Sequence, residues 1–137
     1  MNDGDIASDQ ALRKPIDEYD VLVRDNVRRE YVVKGPCQPI SHDFPKTIVG
    51  KYSRCFQKDW FNQWEWLEYS VSQDSAFCFW CYLFRGEIGK RSRDEAFVKT
   101  GFCNWKKGPE KFREHVGATR SIHNDARTLF FSFKYQM

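Results

Sequence analysis

No apolar run in this 137-residue sequence approaches the roughly 20 residues that a membrane-spanning helix needs, so a membrane partner is not expected. Internal repeats and low-complexity tracts are also missing, which excludes solenoids and compositional linkers. The opening stretch, MNDGDIASDQ, has neither the basic and apolar regions of a signal peptide nor the arginines of a transit peptide. With no such signal and an odd count of five cysteines, a disulfide framework is not expected. Aliphatic side chains are scarce, while aromatics reach 17%, with five tryptophans and twelve phenylalanines. The length fits one domain, with or without a tail. A small core built from a few large rings commonly needs a further staple, and a metal is a frequent one.

The net charge of +3 is unevenly spread. Residues 1–20 hold six acids against Arg13 and Lys14, while Arg85 to Arg120 carries ten Lys/Arg and five Asp/Glu. A basic half favours a polyanionic partner, although charge alone is equally the mark of an ordinary solvated surface. The acidic leader, residues 1–18, shows no periodicity and reads as disordered. Residues 19–56 read as an amphipathic helix over about 20–31, with Val23, Val27 and Tyr31 four apart and Asp20 as its cap. The extended connector 35-GPCQPISHDFP-45 follows. Beyond them, residues 57–137 read as one unit.

Within that unit Asp59 is placed to cap a helical turn through Trp60 and Phe61. Leu67, Tyr69 and Val71 alternate with polar residues as in a strand. The turn 72-SQDS-75 leads to a second strand, 76-AFCFW-80, which makes a β-hairpin ending in a Cys-x-x-Cys pair. A charged loop spans 86–95, and a short helix is expected over about 94–99, ended by Gly101. Pro109 opens a helix that Gly117 closes, and Ser121 caps another. The fold class expected is therefore α+β: a small domain with a cysteine-bearing hairpin followed by short helices.

Cys78 and Cys81 admit several roles: half of a metal site, a redox dithiol, half of a disulfide framework, or two small core residues. Two of the three histidines follow them, in the spacing Cys78-x2-Cys81-x33-His115-x7-His123. Two thiolates and two imidazoles are a preferred tetrahedral set for Zn2+. Eight positions along an unbroken helix would separate the two rings by roughly 12 Å of rise and about 80° of rotation. Joint binding therefore requires a break, and Gly117 supplies one. Redox chemistry is the weaker reading, because such dithiols sit at a helix N-terminus within a βαβ unit, whereas this pair reads as a hairpin end. Cys37, Cys55 and Cys103 read as incidental thiols, with Cys103 the first reserve ligand. His42 reads as a turn residue with a lesser claim as a ligand. Trp80 and Trp105 read as core rather than as platforms for bases.

The segments DNVRREYVVKGPCQP, PCQPISHDFP, WLEYSVSQDSAFCFWCYLF and AFVKTGFCNWKKGPEKFREHVGATRSIH resemble the TTF-type zinc finger of hAT-transposase-derived and zinc finger MYM-type-like proteins, over about residues 20–128. The resemblance implies zinc ligation by Cys78, Cys81, His115 and His123, a role in DNA recognition near a transposase core, and a nuclear location. Members of that family usually continue into an RNase H-like catalytic domain and a dimerisation region. This chain stops at Met137, so it is expected to be a fragment or a stand-alone relic, without catalysis. The face expected to meet DNA carries Lys90, Arg91, Arg93, Lys106, Lys107, Lys111, Arg113 and Arg120, whose cations would neutralise phosphates. The alternative is a zinc module that docks on a protein, either the missing catalytic or dimerisation domains or a chromatin partner.

Overall fold

The computed structural model describes residues 7–88 and 96–137. Asp20 caps a 3-10 turn, Val21–Val23, by accepting from the Leu22 N–H. Helix α1 (Arg24–Lys34) continues from it and ends at Gly35, whose φ is 82°. An exposed antiparallel hairpin follows, β1 (Thr47–Val49) with β2 (Tyr52–Arg54). Helix α2 (Trp60–Gln63) then leads to the buried hairpin β3 (Leu67–Ser70) and β4 (Ser75–Cys78), paired Leu67 to Cys78 and Ser70 to Ser75. Helix α3 (Phe79–Ile88) starts directly from β4. After a π-helical turn, Ala96–Thr100, come α4 (Gly108–Val116) and α5 (Ile122–Tyr135).

The α+β class holds, with two small antiparallel hairpins among the described residues. Two departures from the sequence reading stand out. First, the apolar run after Cys78 is helix rather than strand end and loop. Its side chains are buried on all sides from Phe79 to Phe84, and a short apolar run does not by itself distinguish strand from helix. Second, the leader is not disordered over its described part, residues 7–18. Asp9 caps the turn Gln10–Leu12 and also accepts from the Ser72 N–H at 3.0 Å. Arg13 grips Glu68 with two bonds of 2.9 and 2.7 Å, and Ile16 is buried in the core. The polar face of β3, which alternation would leave in water, is covered by this strap. All four β3 residues are buried, and the Glu68 carboxylate also accepts from the Cys37 N–H at 2.9 Å.

The core is aromatic. Phe56 packs against Phe44, Trp60, Phe61, Tyr69 and Trp105 with ring centroids 4.9–5.4 Å apart. Such pairs contribute about 0.5–1.5 kcal/mol each beyond area burial. A second layer forms where α3 lies on α5, with Trp80 and Phe79 against Phe130 and Phe84 against Phe133. Trp80 and Trp105 are core residues, as their type implies. Phe102 pairs with the outer edge of β4 through two backbone bonds to Ala76, of 2.7 and 3.0 Å. That approach requires Gly101: its φ is 85°, and a Cβ there would lie 2.5 Å from the Ser75 Cβ.

Candidate metal centre

Four elements deliver the chemistry. Cys78 is the last residue of β4, and Cys81 lies in the first turn of α3. His115 lies in the last turn of α4, and His123 in the first turn of α5. The expected break is present: Gly117 ends α4 with φ 64°, and the Ser121 hydroxyl caps α5 by accepting from the Asn124 N–H at 3.1 Å. The same hydroxyl donates to the Val116 carbonyl, which ties the two helix ends together.

The ligand atoms of Cys78, Cys81, His115 and His123 all lie within 4.8 Å of one another. Cys78 Sγ is 3.5 Å from His123 Nδ1, Cys81 Sγ is 3.6 Å from His115 Nε2, and Cys81 Sγ is 3.8 Å from His123 Nδ1. A tetrahedral ion with Zn–S of about 2.3 Å and Zn–N of about 2.0–2.1 Å sets sulfur and nitrogen roughly 3.6 Å apart. The donor set and its spacing therefore fit zinc. The rings around it bury Cys78, Cys81 and His123 and leave His115 half-buried. Trp66 lies 5.0 Å from both imidazoles, Phe97 4.5 Å from His115, and Trp80 5.4 Å from His123. No periodicity marked Trp66 or Phe97 as walls of this site; their aromatic type alone offered a signal.

Electrostatics favour one thiolate. The Cys78 S–H holds Cys81 well below the usual thiol range, against its burial, with help from His115 and His123. Burial pushes the Cys78 thiol well above it. Burial also lowers His123, so its imidazole stays neutral and keeps a lone pair for a metal. The cysteine pair does stand at a helix N-terminus, contrary to the hairpin-end reading that argued against redox chemistry. Both thiols are nonetheless sealed, at 0% and 1% exposure, so neither is accessible to a disulfide substrate. Cys103 is exposed and Cys37 and Cys55 are half-buried, all three outside the cluster. His42 packs between Phe44 and Tyr69 and is likewise outside it.

Of the expected cationic face, the described members lie at the surface to differing degrees. Lys106, Lys107, Arg113 and Arg120 are exposed, and Lys111 is half-buried and paired with Glu114 at 3.0 Å. At 100° per residue, Lys111 and Arg113 lie on opposite flanks of the buried Phe112. Lys90, Arg91 and Arg93 fall outside the described residues.

Residues 95–137 match a family profile described as DUF4371: ZMYM1/FAM200, RNase-like domain. Both histidines of the cluster lie within that stretch and both cysteines precede it. The chain is 32% identical over 107 residues to Zinc finger MYM-type protein 5 of Mus musculus, an alignment covering 73% of this chain and 16% of that relative. The chain thus spans about a sixth of the length of the curated relative. No solved structure matches. The profile match and this relative together support a place for the chain among zinc finger MYM-type-related proteins, to which it is similar.

Proposed function

We propose that the chain is a non-catalytic zinc-binding module that contacts DNA, works in the nucleus, and derives from the N-terminal part of a hAT-type transposase. The observation that carries the zinc reading is the set of S···N separations of 3.5–3.8 Å among four residues from four elements. The Cys81 N–H donated to Cys78 Sγ at 3.4 Å supports reading the pair as a turn folded around one ion, a zinc knuckle. When bound, the ion supplies cross-linking rather than chemistry. Its four residues leave no open position, as in structural sites. The exposed cations Lys106 and Lys107, at the start of α4, support a phosphate contact. A protein-docking role is the second reading, favoured by the exposed Val21 and Leu22, at 69% and 89%.

Metal analysis joined to a salt-titrated DNA-binding assay tests both parts. A single zinc ion per chain is expected, lost in Cys78→Ala and His115→Ala and kept in Cys103→Ala. Lys106→Gln with Lys107→Gln should weaken duplex binding and leave zinc unchanged. A metal-free native protein would end the zinc reading, and unaltered affinity in the lysine variant would remove that surface from the DNA reading.

A further inference from the structure

The hairpin β1–β2 is a second charged surface, on elements that supply neither a ligand of the metal centre nor Lys106 and Lys107. Between Asp43 and Asp59 the chain carries Lys46, Lys51, Arg54 and Lys58 and no carboxylate. Every residue from Lys46 to Ser53 is exposed, with Ile48 at 80% and Tyr52 at 61%. A lone two-stranded hairpin is marginal in water, yet this one holds large apolar side chains away from the core. The register sets Thr47 opposite Arg54 and Val49 opposite Tyr52, so these four share a face. There the Arg54 guanidinium lies over the Tyr52 ring, 5.1 Å from its centroid. Lys51 stands at the tip, beside Gly50 with its φ of 61°.

The charge and the shape select the occupant. The charge is of one sign, and it lies at both the base and the tip of the ribbon. Strands of three residues offer little ladder for a partner strand to extend. A two-stranded ribbon, however, fits the major groove of duplex DNA, about 12 Å wide. We infer that this hairpin enters a groove of duplex DNA, with Lys46, Lys51 and Arg54 on phosphates and Tyr52 and Val49 turned to the groove floor. The inference rests on the DNA-binding reading above and adds a contact which that reading does not use.

The test uses the full zinc-loaded chain and a labelled duplex, with anisotropy read between about 50 and 200 mM salt. The combined variant Lys46→Gln, Lys51→Gln and Arg54→Gln should lose affinity about 10- to 100-fold. Its log–log salt slope should become shallower by roughly 2–3, from about 0.9 per phosphate contact. Zinc content and circular dichroism should not change. If the wild-type chain fails to bind at low salt, both the DNA reading and this inference fall. If the wild type binds, and weakens on loss of Lys106 and Lys107 but not on loss of the hairpin cations, only this inference falls. If the chain dimerises in sedimentation, and Ile48→Glu makes it monomeric without altering DNA affinity, the hairpin is a contact between copies and this inference is overturned.

Discussion

Of the five cysteines, Cys37 and Cys103 show most plainly what surroundings do to a thiol. Cys103 is exposed. Cys37 is half-buried, and its thiol is pushed up to about 11, first by burial and then by the Glu68 carboxylate. At pH 8 a thiol at that value is ionised to roughly one part in a thousand. Alkylation by iodoacetamide, followed by peptide mass spectrometry, should therefore label Cys103 first. Cys37 should lag and speed up about tenfold per pH unit between pH 8 and 10, because its thiolate fraction rises by that factor. Equal rates at pH 8 would contradict the burial described. The four clustered ligands were legible as residues because cysteine and histidine are rare here and their spacing asked for a break that Gly117 supplies. Arg13 and Glu68 were not legible. Each looks like an ordinary solvated charge, and only the path of the strap makes them partners at 1% side-chain exposure each.

The junction of α4 and α5 shows how local chemistry sets a longer-range geometry. Gly117 sits at φ 64°, and a Cβ there would lie 3.1 Å from the Ser121 Cβ. Gly117→Ala should cost about 1–3 kcal/mol from the glycine-only backbone conformation alone. Ser121→Ala should cost about 1 kcal/mol by removing the cap. Urea midpoints at matched zinc occupancy measure both. Zinc affinity should fall in Gly117→Ala, since the junction aims both imidazoles. These two helices were readable because Pro109, Gly117 and Ser121 each obey a strict backbone rule. Helix α3 was not, because its apolar residues from Phe79 to Phe84 are buried on every side and leave no periodic stripe to count. Hairpin β1–β2 was missed for the opposite reason, since none of its apolar residues turns towards a core.

At the scale of the molecule, the described parts of the leader, the connector and the hairpin–helix unit share one core, from Ile16 through Phe56 to Phe130. A structural zinc contributes an apparent ~10–16 kcal/mol in small domains, which is as large as the ~5–15 kcal/mol net stability of a typical domain. Verified removal of metal by EDTA should therefore unfold the chain cooperatively, with loss of near-ultraviolet circular dichroism from the packed tryptophans. A chelated protein with unchanged heat stability would show that the aromatic core suffices alone. The order of the ligands along the chain also bears on synthesis. Cys78 and Cys81 leave the ribosome well before the last partner, His123, which lies 42 residues after Cys81. That partner has not left the exit tunnel when the two thiols emerge. The pair of thiols thus stays unclamped until His123 follows, and the nascent chain is open to oxidation over that interval.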